Sequence, residues 1–221
     1  MSNTPRRRRM HEMVYLVDDD EAVRDSLRWL LEGHGFRVMA FETPGRFLSH
    51  MLSTHSGSAC AILDVRMPGM SGIELHEELG RHNINLPIIF ITGHGTVPMA
   101  VDSMKRGAID FLEKPFNDEQ LCSLVAAALT KVRSEQDRII SSRTAKEMIS
   151  RLTPRESQVL ERIVAGRLNK QIADDLSISI KTVEAHRANI MDKIEARTMA
   201  DLMKTALAAG PMPGALTPSQ R

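Results

Sequence analysis

The sequence is poor in cysteine, carries almost no net charge, and has no long apolar run. Its two cysteines, Cys60 and Cys122, are interpreted as reduced core thiols rather than a disulfide pair or metal ligands. The 29 basic and 28 acidic side chains nearly cancel, so the chain as a whole is not attracted to nucleic acid. No apolar run is long enough to cross a bilayer, and residues 13–17, after the arginines of 6–9, are too few for an export signal. We therefore expect a cytoplasmic protein with no membrane partner.

Short apolar segments alternate with segments of helical spacing over residues 12–132. The apolar segments are predicted strands, at 13–18, 37–41, 59–64, 87–92 and 108–114. The intervening segments are predicted helices, at 22–33, 44–52, 72–82, 97–106 and 117–132. Such alternation is typical of a parallel sheet covered on both faces. We therefore expect an α/β domain with a doubly wound, five-stranded parallel sheet in the flavodoxin-like order 2-1-3-4-5.

A purely helical pattern follows the charged segment 131–150, which either extends the preceding helix or forms a flexible connector. Thr153 as the N-cap, Pro154 at the first helical position and Glu156 three residues after the cap predict the start of a helix that Gly166 ends. Three more helices are predicted, at 169–176, 180–194 and 198–209. The pattern indicates a second, smaller all-α domain.

These patterns divide the chain into five segments. They are a disordered basic arm (1–11), the α/β domain (12–130), a linker (131–150), the all-α domain (151–210) and a disordered tail rich in proline and glycine (211–221).

Polar side chains lie at the ends of four predicted strands. Asp18 and Asp19 follow the first strand, Asp64 ends the third, Thr92 ends the fourth and Lys114 follows the fifth. In this sheet order the carboxyl ends of strands one and three border a crevice, so we expect the three aspartates to converge there. Gathered carboxylates suit Mg²⁺, and an aspartate beside that ion can attack a phosphoryl group. The pattern predicts phosphoryl transfer to Asp64, with Thr92 donating a hydrogen bond and Lys114 neutralising charge.

Four blocks around these residues resemble the signature of the two-component receiver domain: VDDDEAVRDSL, ILDVRMPGMSGIEL, FITGHG and DFLEKPF. The resemblance covers residues 12–130. It implies that Asp64 is the phosphoacceptor, that a sensor histidine kinase is the donor, and that Thr92 and Lys114 contact the phosphoryl group.

The same resemblance implies the rest of the receiver site. Mg²⁺ would be held by Asp18, Asp19, Asp64 and the backbone carbonyl of Arg66. The peptide bond between Lys114 and Pro115 is expected to be cis, a form that is essentially confined to bonds before proline. Phe111 would change rotamer when Thr92 moves.

Residues 169–194 have the pattern of a helix-turn-helix, with two helices, a tight turn and apolar residues that join them. The predicted packed side consists of Ile172, Ala173, Leu176, Ile178, Val183, Ile190 and Ile194. On the outer side, Glu184 can accept a hydrogen bond from cytosine, and Ala185 and Ala188 can touch a thymine methyl group. The predicted phosphate contacts are Lys170, Lys181, Thr182, His186 and Arg187.

The segments LTPRE, NKQIA, KTVE and HRANIM resemble the LuxR-type helix-turn-helix across residues 150–210. Together with the receiver, this layout resembles FixJ/NarL-type response regulators, and EAHRAN and LMKTALAAG resemble FixJ more than NarL. The resemblance implies promoter DNA as a partner and a homodimer when phosphorylated. RNA polymerase is a further candidate partner.

We therefore predict a DNA-binding transcriptional regulator that phosphorylation controls, and not an enzyme, because phosphoryl transfer to Asp64 is self-modification. A regulator that binds DNA independently of phosphorylation is the alternative. A flavodoxin is disfavoured because the acids of 18–21 would repel the FMN phosphate. An aspartate-nucleophile phosphohydrolase is also disfavoured, because such enzymes typically have a second aspartate where this chain has Arg66.

Phosphorylation is expected to pair two receivers through the face formed by 97–116, or else to release a contact between receiver and DNA-binding domain.

Overall fold

The computed structural model describes residues 12–54, 57–93 and 107–210. The chain forms two compact units, the first extending to Ser134 and the second beginning at Glu135. This division falls within the predicted linker. The predicted arm, the predicted helix at 97–106 and the predicted tail lie outside the described residues.

The first unit is built on one parallel sheet in the order β2-β1-β3-β4-β5, which confirms the predicted topology. Its strands are β1 (Met13–Val17), β2 (Arg37–Phe41), β3 (Ala59–Asp64), β4 (Ile88–Thr92) and β5 (Asp110–Glu113). The helices described in this unit are α1 (Glu21–Gly33), α2 (Pro44–Ser53), α3 (Gly72–Arg81) and the first part of α4 (Asp118–Ile149).

Alternation along the strands divides the apolar side chains between two layers of helices. On one face, Leu16 and Ile62 lie in a cluster with residues of α1 and α4. On the other, Val17 and Leu63 lie in a cluster with residues of α2 and α3. The central strand β3 is buried along its whole length, as expected for a parallel sheet covered on both faces.

Both cysteines lie in the cluster shared with α1 and α4, and both are free thiols, as predicted. Burial raises the pKa of the Cys60 thiol to about 12. A thiol in this state is a packing group and not a nucleophile.

The second unit is helical. It contains the end of α4 together with α5 (Pro154–Val164), α6 (Asn169–Leu176), α7 (Ile180–Ile194) and α8 (Met199–Ala209). Helix α4 continues to Ile149, so the segment 131–149 is helical, a point that the sequence left open. Thr153 and Glu156 form the predicted capping box at the start of α5.

One apolar cluster holds the second unit together, and it contains the predicted packed side of the helix-turn-helix. Six of those residues are buried in it and Ile178 packs against it as a partly buried neighbour. The six are Ile172, Ala173, Leu176, Val183, Ile190 and Ile194. Over the described part of the chain, no helix combines the length and the hydropathy needed to span a membrane.

Candidate functional site

At the carboxyl edge of the sheet, Lys114 lies between two buried carboxylates. Its Nζ donates to Oδ2 of Asp18 at 3.0 Å and to Oδ1 of Asp64 at 3.0 Å. Asp18 is 1% exposed and Asp64 is 6% exposed, so a single ammonium group faces two largely desolvated carboxylates. Asp18 follows β1, Asp64 ends β3 and Lys114 follows β5, so the sheet order brings together groups that are far apart in the sequence.

The second oxygen of Asp64 is fixed by the main chain. Oδ2 accepts a hydrogen bond from the Arg66 N–H at 2.7 Å, which sets the orientation of the carboxylate. The Arg66 side chain is exposed. The peptide bond between Lys114 and Pro115 is cis, as the resemblance implies.

Asp18 is held in place by the start of α1. Its Oδ1 accepts a hydrogen bond from the Asp20 N–H at 2.9 Å, and its carbonyl accepts one from Arg24 Nη1 at 2.8 Å. Asp20 itself is the N-cap of α1, since its side chain accepts hydrogen bonds from the N–H groups of Ala22 and Val23. Of the three aspartates that follow β1, Asp18 is therefore buried in the site, Asp19 is exposed, and Asp20 caps α1.

Burial, and a single cation placed between two acids, set the electrostatics of the site. Burial raises the pKa of Asp18, although the hydrogen bonds from Asp20 and Lys114 act in the opposite direction. Burial alone would lower the pKa of Lys114, but the hydrogen bonds and charges of Asp64 and Asp18 outweigh it and leave that pKa raised. Lys114 is thus firmly cationic, and a further cation at this edge would favour the ionised form of Asp18.

The third predicted aspartate, Asp19, does not join the pair. It is exposed and lines a cavity of about 520 Å³ beside Val65, Arg66, Met67 and other residues of the loop after β3. Within the three described ranges, no three His, Cys, Asp or Glu side chains lie close enough to share a metal ion. The expected convergence of three carboxylates is therefore seen for two of them, with Lys114 between the buried pair.

The oxygen donors at this edge nevertheless fit Mg²⁺. That ion binds through one or two carboxylates and keeps several waters, so it does not need three acidic side chains. Asp19 and Arg66 line an open cavity next to the buried carboxylates of Asp18 and Asp64, which leaves room for those waters. The metal role of these residues stays a prediction.

Thr92 and Phe111 lie on the same face of the sheet. Thr92 is fully buried at the end of β4, and its carbonyl accepts a hydrogen bond from the Lys114 N–H at 2.7 Å. Phe111 pairs in register with Phe90, which precedes Thr92 by two residues, so alternation places the three side chains together. Phe111 is partly buried against the cluster that contains Phe90. Most of the predicted switch face, 97–106, lies outside the described residues.

Gly72 is a site residue that the sequence interpretation did not identify. It begins α3, and a Cβ atom added to it would lie 2.3 Å from the Asp64 carbonyl oxygen. No side chain fits at that distance, so only glycine lets α3 start this close to the phosphoacceptor candidate. The available signal was a glycine directly after Ser71, the N-cap of a capping box with Glu74.

We predict that Gly72→Ala destabilises the first unit by about 1–3 kcal/mol, because the main chain at Asp64 must shift to relieve the overlap. Gly80→Ala, in the same helix, is the matched control. A Cβ at Gly80 meets nothing within 4 Å, so this change should stabilise the unit by about 0.5–1 kcal/mol. Urea unfolding followed by near-ultraviolet circular dichroism measures both, since Trp29 and Tyr15, the single Trp and Tyr, lie in the first unit. Equal effects of the two substitutions would contradict the close approach at Gly72.

In the second unit, α7 presents the predicted DNA-binding face. Four of the predicted contacts on this helix are exposed: Lys181, Glu184, Ala185 and Ala188. Thr182, His186 and Arg187 are half-buried at its borders. Lys170 is exposed in the first turn of α6.

The turn before α7 is fixed by side-chain and backbone geometry. Ser177 ends α6 with a left-handed φ of 52°, and Ser179 caps α7 by accepting a hydrogen bond from the Thr182 N–H. The hydroxyl group of Thr182 is also within 2.8 Å of that of Ser179, so Thr182 takes part in the cap. Arg155 Nη2 donates to the Leu176 carbonyl at 2.6 Å, which satisfies one carbonyl at the end of α6.

The two units thus have the features of a receiver domain and a helix-turn-helix. Comparison with known families agrees: residues 14–126 match the response regulator receiver domain, and residues 150–206 match the luxR family of bacterial regulatory proteins. The chain belongs to the response regulators that join these two domains. Receiver domains generally bind Mg²⁺ at the phosphorylation site, and regulators of this family are generally not enzymes.

Individual relatives share nearly the whole length of the chain. The transcriptional regulatory protein FixJ of Bradyrhizobium diazoefficiens is 42% identical over 200 residues, which are 89% of this chain and 95% of that protein. The solved structure of the response regulator StyR is 41% identical, with a TM-score of 0.72 over 89% of this chain and 98% of that one. Full-length FixJ from B. japonicum is 40% identical, with a TM-score of 0.58 over 90% of this chain and 97% of that one. The chain is therefore a FixJ-like response regulator, with the architecture of a phosphorylation-controlled transcription regulator.

Proposed function

We propose that Asp64 accepts a phosphoryl group from the phosphohistidine of a sensor histidine kinase and that this modification controls DNA binding by the second unit. The observation that carries the proposal is the Lys114 ammonium group, held at 3.0 Å from both Asp18 and Asp64 in a nearly buried site. A carboxylate so placed is oriented for attack and has a cation at hand for the charge that arrives.

In the proposed reaction, an oxygen of Asp64 attacks phosphorus, the phosphorus–nitrogen bond to the histidine breaks, and the histidine nitrogen keeps the electron pair. Lys114 neutralises charge on the transferred group, and Thr92 donates a hydrogen bond to one of its oxygens. Mg²⁺, when bound by Asp18, Asp19, Asp64 and the Arg66 carbonyl, supplies the remaining positive charge. Arg66, in the position where phosphohydrolases of this kind carry a second acid, cannot act as the base for rapid hydrolysis.

The DNA-binding part of the proposal rests on the outer face of α7, its borders, and Lys170 at the start of α6. Lys170, Lys181, Thr182, His186 and Arg187 are proposed to contact phosphates, which fix the register of the helix on the duplex. Glu184, Ala185 and Ala188 are proposed to contact base edges, because their short or acidic side chains suit cytosine N4 and the thymine methyl group.

The two functions are proposed to be coupled through Thr92 and Phe111. A new phosphoryl group draws the Thr92 hydroxyl inward, and Phe111, on the same face of the sheet, turns into the space that Thr92 leaves. The reshaped face then pairs two receivers, and two DNA-binding units occupy a two-fold operator.

Binding measurements on the full-length chain test the proposal. A duplex is first selected from a random-sequence library, and its affinity and the molecular mass of the protein are then measured with and without acetyl phosphate and Mg²⁺. We expect tighter binding and a doubled mass after phosphorylation. Tighter binding at unchanged mass would contradict receiver pairing and would favour the other mechanism, release of a contact between receiver and DNA-binding domain. Unchanged affinity and mass would instead support the alternative, a regulator that does not depend on phosphorylation.

A further inference from the structure

Ile180 is a large apolar side chain on the proposed DNA-binding helix, and it is 46% exposed. It is the first residue of α7, directly after the Ser179 cap. The other isoleucines of this helix, Ile190 and Ile194, are buried in the core of the second unit. Ile180 therefore leaves much of its apolar side chain in solvent, whereas the other two isoleucines pack in the core.

The position of Ile180 is well defined by the structure around it. The Ser179 side chain accepts a hydrogen bond from the Thr182 N–H, which pins the first turn of the helix. Glu184 is exposed one turn further along, so it lies on the same side of α7 as Ile180. Both residues thus border the face that also carries Lys181.

We propose that Ile180 contacts the C5-methyl group of a thymine and so reads one T·A pair of the operator. The inference rests on the proposed function, since it requires α7 to enter the major groove. The N-terminal residues of a recognition helix are those that reach base edges. An isoleucine side chain cannot bind phosphate, and the thymine methyl is the apolar group that the major groove offers.

The test removes only that methyl group. A duplex is selected by the full-length protein from a random-sequence library, and each dT in it is replaced singly by dU. For the wild type, we expect one substitution at the Ile180 contact to weaken binding about fourfold, the cost of one methyl group. Ile180→Ala should bind the unmodified duplex more weakly and lose no further affinity at that dU. Ile180→Val should keep most of the penalty.

Leu207→Ala is the matched control, since Leu207 is 70% exposed on α8 and lies outside the proposed interface. It should show the full wild-type set of dU penalties. The inference is overturned if Ile180→Ala shows the same penalty as the wild type at every position, even where its overall affinity falls. Failure to select any sequence would instead remove the proposed function and the inference with it.

Discussion

Asp64→Asn is expected to abolish phosphorylation of the chain by acetyl phosphate. The substitution preserves the shape of the side chain. It also keeps an oxygen that can accept the hydrogen bond from the Arg66 N–H, which Asp64 Oδ2 accepts at 2.7 Å in the wild type. It removes the anionic oxygen that attacks phosphorus, and an amide is a poor nucleophile in its place. Intact-mass spectrometry after incubation with acetyl phosphate and Mg²⁺ should find one added phosphoryl group on the wild type and none on the variant.

Asp25→Asn is the control for this experiment. Asp25 is an exposed acid of α1, so its substitution changes the net charge by the same amount without touching the buried pair. It should be labelled to the same extent as the wild type. Labelling of Asp64→Asn at the wild-type level would place the modification elsewhere, and an unlabelled wild type would end the phosphorylation proposal.

The buried pair of Asp18 and Asp64 was predictable because a clear local pattern marks the end of each strand. Asp18 and Asp64 each come directly after an apolar run, and Lys114 follows the last strand. Because alternating strands and helices predict a parallel sheet, the carboxyl ends of its strands are expected at the same edge, whatever the sequence between them. The distances of 3.0 Å between Lys114 and the two acids agree with that reasoning.

Other features depend on packing that no local pattern encodes. Asp18, Asp19 and Asp20 look alike in the sequence, yet one is buried, one is exposed and one caps α1, because the strand ends and the helix starts within three residues. Gly72 owes its role to the Asp64 carbonyl, a group eight positions away that only the fold brings close. The helical segment after residue 131 has few apolar anchors, so periodicity was unable to separate helix from connector.

Lys193→Met is expected to have the largest effect on the second unit, because it leaves a buried carboxylate without its cation. Glu156 is 3% exposed, and its Oε2 accepts hydrogen bonds from Lys193 Nζ at 2.6 Å and from the Thr153 N–H at 2.8 Å. The pair joins the start of α5 to the later part of α7, and so helps to position α7. We expect a loss of about 2–3 kcal/mol, below the value for a fully buried pair because the Lys193 side chain is 36% exposed.

The pH dependence of that loss separates an unpaired charge from lost packing. Burial alone would raise the pKa of Glu156, but the hydrogen bonds from Lys193 and Thr153 outweigh it and lower the pKa below its usual 4.5. The pair's contribution is therefore fully present above pH 4.5 and is lost as the pH falls through the lowered value. The difference between the wild type and Lys193→Met should shrink over that range, as seen by urea unfolding followed through the methyl signals of Ile163 and Ile190. Lys204→Met, at an exposed lysine of α8, is the control and should cost little stability above or below pH 4.5. If the penalty of Lys193→Met stays constant with pH, lost packing and not the charge pair is responsible for it.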